Sequence, residues 1–180
     1  MPEILIRNAV ATDIQPIMAF DHSSTSDYVW QFDLQHGDDQ LMAIFREIRL
    51  PRSINVKYPK TLINLPDEWN HQSSMVVAIV DNFICGYMRL TDNIVPETSW
   101  ITDLVVETNF RRKGIGKSLI LAAQTWAGER QMKRIMLEMS AKNNPAIRIA
   151  QKMGYEFCGY NDNYYATNEV ALFFGRELRS

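Results

Sequence analysis

Ile4-Leu5-Ile6 is a short apolar run that breaks into Arg7, and Ala11-Thr12-Asp13 precedes Ile14, Ile17 and Met18 at helical spacing. This predicts a strand, a cap at Thr12 or Asp13, and a helix. Apolar stretches over 28–34 and 41–45 flank His36-Gly37-Asp38-Asp39, the residue chemistry of a hairpin loop, although 41–50 also fits a short helix. Pro51, Pro59 and Pro66 then punctuate a polar region expected to run over the surface. From residue 73 the pattern sharpens. Two β-rich runs, 74–80 and 83–90, are joined by Asp81-Asn82, and a third strand is expected over 99–107. Leu119, Ala123 and Trp126 fall at i, i+4 and i+7 with Ile120 and Ala122 beside them, which predicts an amphipathic helix over 116–130. A strand over 134–140 follows. Asn144-Pro145 opens a second amphipathic helix with proline in its first position, Ala146, Ile149, Ala150 and Met153 as its buried stripe, and Gly154 at its end. Strands over 155–160 and 169–178 complete an α/β pattern without repeats.

A chain of 180 residues, 46% hydrophobic and 22% charged, fits one domain with one core. Nineteen Lys and Arg against 21 Asp and Glu leave a net charge of −2, so there is no global basic field for nucleic acid or an anionic membrane. Cys85 and Cys158 lie far apart in apolar stretches and read as buried free thiols of a reducing cytosol. His22, His36 and His71 lack ligand spacing and read as solvated, so no metal site is expected. The apolar run Met75 to Val80 is far below the ~18 residues of a membrane span, and a cytoplasmic protein is expected.

The stretch from Leu104-Val105-Val106 to Arg111-Arg112-Lys113-Gly114-Ile115-Gly116-Lys117-Ser118 combines a strand, a short loop and a glycine-and-basic run opening a helix. A helix start leaves about four N–H groups unpaired and carries roughly half a positive charge, and glycines let backbone approach a ligand closely. The run therefore suits an anionic phosphate. Arg111, Arg112, Lys113 and Lys117 add side-chain charge. It is not a nucleoside triphosphate loop, because Arg111 stands where the first glycine is needed before Gly116-Lys117-Ser118. Nor is it a dinucleotide fingerprint, because Leu119 replaces the third glycine.

Arg111-x-x-Gly114-x-Gly116 resembles the signature of the Gcn5-related N-acetyltransferase (GNAT) superfamily. The likeness continues through Leu137-Glu138, Asn143, Ala146 and Met153-Gly154-Tyr155. It covers about residues 73–178, with 9–72 as the variable substrate side. The resemblance implies a mixed, mainly antiparallel central sheet, splayed between the two cofactor-flanking strands, with helices on both faces. It implies acetyl-CoA as co-substrate and no metal. Leu104, Val105 and Val106 would offer backbone groups to the pantetheine arm. N–H groups of Arg112, Lys113, Gly114, Ile115, Gly116 and Lys117, with Ser118 beside them and Arg111 in the same signature, would hold the pyrophosphate. Asn143 would lie near the thiol end.

Acetyl transfer to an amine needs a neutral nitrogen, a stabilised oxyanion and a proton for the leaving thiolate. Glu138 matches the base of ribosomal-protein alanine N-acetyltransferases, Asp103 is a second base candidate, and an N–H near Val106 is the family's usual oxyanion donor. Many members carry a general-acid tyrosine seven residues after the position of Asn143, where this chain has Ala150. Tyr164 and Tyr165 echo a similar Asn-Tyr-Tyr and are the natural substitutes. Streptothricin acetyltransferases share Tyr165-Ala166, Ala171-Leu172-Phe173 and a looser Phe45-Arg46-Glu47. That suggests a small cationic amine, with Asp33, Asp38, Asp39 and Glu47 lining its cleft. The expectation is N-acetylation of a primary amine of a small molecule, by direct attack in a ternary complex. The alternatives are a protein N-terminal or lysyl acetyltransferase and a non-catalytic acyl-CoA-binding module. A homodimer is compatible with an exposed edge at the last strands.

Overall fold

The computed structural model describes residues 3–62 and 74–178; Pro66 and His71 lie outside the described residues. The chain runs β1 (Leu5–Asn8), a 3-10 turn (Ala11–Asp13), α1 (Ile14–Met18), β2 (Ser24–His36), β3 (Leu41–Val56), β4 (Ser74–Val80), β5 (Phe83–Val95) and β6 (Thr98–Val106). A second 3-10 turn (Thr108–Phe110), α2 (Ile115–Glu129), β7 (Arg134–Ser140), α3 (Asn144–Lys152), β8 (Glu156–Asn161) and β9 (Ala171–Glu177) follow. Among the described residues, no helix is long and apolar enough to cross a membrane.

The central sheet has the order β1-β4-β5-β6-β7-β9-β8, antiparallel throughout except for the parallel pair β6–β7. That one parallel pair needs a crossover, which α2 supplies. The β4–β5 turn is tight because Asp81 and Asn82 both adopt positive φ, as a two-residue hairpin loop requires. Helices cover both faces. On one, α1 sets Ile14 and Ile17 against Met75, Val77, Tyr87 and Val105. On the other, α2 buries Ile115, Leu119, Ile120, Ala123 and Ala127 against Val76, Ala78, Met88 and Leu90. Each fully buried large aliphatic side chain there contributes about 1.5–3 kcal/mol of transfer free energy.

Four local expectations are corrected, and over 41–50 the hairpin strand stands against the helix alternative. Asp13 does not cap α1 with its side chain; its carboxylate accepts the Val10 N–H at 2.8 Å and pairs with Arg7 of β1 at 2.6 Å. Pro51 lies inside β3, in a bulge where the β2–β3 register shifts, so its missing N–H breaks no ladder bond. The 41–50 segment is strand, because Phe45 stacks on Phe32 with ring centroids 5.1 Å apart and packs beside Tyr160 of β8. The α3 stripe is rotated: Ile147 and Ala150 enter the core, Ala146 and Ile149 face the cleft described below, and Pro145 is the second helical residue because Asn143 is the cap. Cys158 is exposed on the edge strand β8, whereas Cys85 is buried; both are free.

Candidate active site

The parallel pairing of β6 with β7 runs from Thr98↔Arg134 to Ile101↔Leu137 and stops, although both strands continue. The cause lies on the opposite edge of β6, where the register to β5 jumps from Arg89↔Asp103 to Leu90↔Ile101. Thr102 is therefore an extra residue, and such a bulge bends and twists its strand. Beyond it β6 diverges from β7 and opens a cleft lined in part by Thr102, Asp103, Leu104, Glu138, Asn143 and Ile149. The β6 segment Leu104-Val105-Val106 keeps its ladder to β5 on one side and leaves its other edge to the cleft.

Beside the cleft residue Ile149 lies the glycine loop. Arg112 and Gly114 adopt positive φ of 62° and 88°, which turns successive N–H groups to one side, the geometry of an anion nest. The α2 ladder starts at Ser118, whose N–H donates to the Gly114 carbonyl at 3.0 Å. Ser118 N–H is thus spoken for, while those of Ile115, Gly116 and Lys117 in the first turn have no intrahelical acceptor. A Cβ at Gly114 would meet nothing within 4 Å, and one at Gly116 would reach Ile149 Cδ1 at 3.4 Å and Val106 Cγ2 at 3.8 Å. Glycine at 116 thus keeps the gap between α2 and α3 open. Arg112, Lys113 and Lys117 are exposed around the nest. Arg111 is differently engaged: its guanidinium donates to the carbonyls of Val106 at 2.9 Å, Asp21 at 2.9 Å and Ser23 at 2.7 Å. It clamps backbone through Nε and Nη2, and both N–H groups of Nη1 lie outside those three bonds.

The cleft itself carries the carboxylates. Glu138, 3% exposed at its side chain, accepts the Tyr164 hydroxyl at 3.1 Å on Oε2. Its Oε1 lies 2.9 Å from Lys60 Nζ, an ion pair. Asp103 is saturated by comparison. Tyr58 Oη and Thr102 Oγ1 donate to it, Arg89 pairs at 3.5 Å, and Lys60 lies at 3.8 Å. Lys60 Nζ also donates to the Thr102 carbonyl at 2.5 Å, so one ammonium bridges the two diverging strands.

Tyr164 and Tyr165 do not line the cleft. Tyr164 steadies Glu138, and partial burial with the Glu138 charge pushes its phenol up to about 12. Tyr165 is buried, and burial followed by the Glu138 charge raises it further. Ala150 is fully enclosed in the core. Asn143 lines the cleft and caps α3, its Oδ1 accepting the Ala146 N–H at 3.3 Å. None of Asp33, Asp38, Asp39 and Glu47 lines the cleft; Glu47 is taken by Asn144 at 2.5 Å and by Arg148.

Three cleft residues escaped the sequence reading. His22, expected to be solvated, is half-buried, with Nδ1 2.8 Å from the Phe20 carbonyl and Nε2 3.1 Å from Tyr87 Oη. Burial lowers its pKa, opposed in part by the Phe20 carbonyl, so it is neutral at pH 7. Tyr58 and Lys60 flank Pro59 at the end of the stretch expected to run over the surface. A polar segment without periodicity gives no sign that its side chains turn inward.

The pattern of the Acetyltransferase (GNAT) family matches residues 40–155, well over half of the chain. The chain belongs to the GNAT family. Among curated relatives, this GNAT chain is 30% identical over 92 residues to a streptothricin acetyltransferase of Streptomyces lavendulae, a match spanning 51% of the chain and 49% of the relative. It is 27% identical over 99 residues to a candidate ribosomal protein bS18 alanine N-acetyltransferase of Bacillus subtilis, spanning 55% and 64%. The GNAT chain thus spans 49% and 64% of those relatives' length. A candidate streptothricin acetyltransferase of Bacillus anthracis, solved with acetyl coenzyme A, superposes with a TM-score of 0.78 over 98% of this chain and 99% of its own, at 24% identity. That likeness establishes the shared splayed fold. Both resemblances read from the sequence, to the streptothricin and the ribosomal-protein alanine acetyltransferases, are thereby recovered.

Proposed function

We propose that the protein is an acetyl-CoA-dependent N-acetyltransferase acting on a primary amine of a small molecule, by direct attack in a ternary complex. What supports this reading is an anion nest packed beside Ile149 of the cleft wall, together with a buried carboxylate, Glu138, in the same wall. Bound acetyl-CoA supplies an activated acyl thioester. The N–H groups of residues 112–117 hold its pyrophosphate, the open edge of Leu104-Val105-Val106 offers backbone partners to the pantetheine arm, and Asn143 stands near the thiol. Glu138 takes the proton from the acceptor ammonium, because a free alkyl ammonium is almost wholly protonated at neutral pH. Asp103, filled by its own four partners, fixes Tyr58, Lys60 and Arg89 around the acceptor. The hydroxyl of Tyr164 orients Glu138; as a weak acid donating to a carboxylate it is a poor proton source for a thiolate with a pKa of about 8.5, which leaves unassisted.

The relatives' names point to amines on small molecules and on proteins alike. The Glu138 carboxylate, only 3% exposed at its side chain, favours a small molecule, and we infer a cytoplasmic reaction, where both free cysteines stay reduced. Release of free thiol from acetyl-CoA over a panel of amino acids, diamines, peptides and streptothricin tests it. Turnover with small amines is expected; tight CoA binding with no acetylation of any amine refutes the enzyme reading in favour of a non-catalytic acyl-CoA-binding module.

A further inference from the structure

Lys60 is set apart from the other six lysines of the chain. Each of those is exposed, whereas Lys60 is 28% exposed at its side chain and, among the described residues, is the one lysine that lines the cleft. Its Nζ lies 2.9 Å from Glu138 Oε1 and donates to the Thr102 carbonyl at 2.5 Å, where the β6–β7 pairing has stopped. A primary amine is thus held against the carboxylate proposed as base, in the cleft that Leu104 and Asn143 also line. Thr102 and Leu104 are two residues apart on one strand, about 7 Å, a span within the swing of the flexible four-carbon stem of lysine. A thioester laid along Leu104-Val105-Val106 therefore meets, as its first amine, one that belongs to the protein. Tethering makes that encounter unimolecular, and well-oriented intramolecular reactions reach effective molarities of about 10⁵ M or more. A small fraction of that advantage outweighs any lysine reacting from free solution.

We propose that the protein acetylates its own Lys60 from acetyl-CoA when no acceptor fills the cleft. This rests on the proposed roles of Glu138 as base and of the β6 edge as the seat of the thioester. The Lys60 ammonium gives one proton to Glu138 across the 2.9 Å contact, and the freed electron pair of Nζ attacks the thioester carbonyl carbon. The tetrahedral adduct then expels the CoA sulfur with the electrons of the C–S bond. The nitrogen loses its second proton as the amide forms, and that proton ends on the sulfur; Glu138 releases its own to solvent. One acetyl-CoA and one lysine ammonium thus give one acetyl-lysine, one CoA thiol and one proton. The product side chain is neutral and no longer nucleophilic, so each chain reacts once.

The test incubates the full-length protein with isotope-labelled acetyl-CoA and no added amine, and follows each lysine by peptide mass. Acetylation of Lys60 at least about tenfold faster than at any exposed lysine is expected, at a rate per chain that does not change with protein concentration. Excess CoA, which fills the same seat without an acetyl group, suppresses the Lys60 signal and leaves the slow chemical acetylation of the exposed lysines. Glu138→Gln, checked for folding by melting and for CoA binding by calorimetry, slows the reaction at Lys60 by about a hundredfold. Any Lys60 acetylated during expression carries the unlabelled group, which Glu138→Gln then lacks. An unmodified Lys60 in an enzyme that acetylates added amines overturns the inference and leaves the proposed function standing. Acetylation of Lys60 no faster than at exposed lysines, or undiminished by excess CoA or in a folded Glu138→Gln, is chemical and overturns it too. A rate rising in proportion to protein concentration assigns the transfer to a second copy and overturns the reaction within one chain. No acetylation of Lys60 or of any amine, with CoA bound, overturns both readings.

Discussion

Replacing Gly114 separates the conformational need for glycine from the electrostatic one. Gly114 sits at φ +88° before α2, and a Cβ built there meets no atom within 4 Å. Gly114→Ala therefore carries only the left-handed backbone penalty, about 1 kcal/mol, which for a chain of this size lowers Tm by about 2–4 °C. Gly114→Glu carries the same penalty and sets a carboxylate at the nest. Two unit charges about 4 Å apart repel by about 1 kcal/mol even in bulk water, and a pyrophosphate brings two, so CoA affinity falls by at least about 2 kcal/mol, or about thirtyfold. The assay is CoA titration by calorimetry, with thermal melting of the unliganded variants as the control. Equal Tm losses with CoA binding kept in the alanine variant and lost in the glutamate variant are expected. Wild-type CoA affinity in a folded Gly114→Glu would refute the nest as the pyrophosphate site.

Glu138→Gln should lower kcat by about a hundredfold with CoA affinity preserved, read by thiol release and calorimetry; a variant with near-normal kcat removes Glu138 from the proton path. Gly86→Ala should destabilise the fold by about 1–3 kcal/mol in urea unfolding, because its Cβ would lie 2.9 Å from the Val105 carbonyl oxygen, backbone that cannot swing aside. A wild-type midpoint would show that β6 can shift. The Arg7 guanidinium holds Asp13 below the ordinary carboxylate range, so the stability it adds is present above the unfolded pKa of about 3.9 and is lost as pH falls through the lower folded value. Asp13→Asn should therefore lower Tm at neutral pH, with the gap to wild type closing below about pH 4; a gap that persists in strong acid contradicts the pairing.

Much of this was visible in the residues themselves. The 134–140 strand and the helix after Gly114 stand where alternation and helical spacing put them, because each buries one well-marked face. The glycine loop was legible because it depends on local backbone chemistry. What escaped depends on placement in three dimensions. The apolar arc of α3 includes Ala146, Ile147, Ile149 and Ala150, wider than one contact face, and periodicity cannot tell which part meets the core and which the cleft. Cys158 alternates correctly for a strand yet lies on an edge, so alternation did not imply burial. His22, Tyr58 and Lys60 come from segments with no period at all, and only the splay of two strands from a different part of the chain gives them a common destination.

Arg111, the first residue of the signature run, spends its guanidinium on three carbonyls, one at the end of β6 and two on the loop that holds His22. The loop that places His22 in the cleft is thus bolted to the end of β6. In the proposed reaction one side chain sets the distance between the two reactants' seats, like a spacer between jaws. Loosening it would blur the alignment of the reacting pair before it weakened the grip on either partner alone. The arginine of this motif is thus a part of the frame.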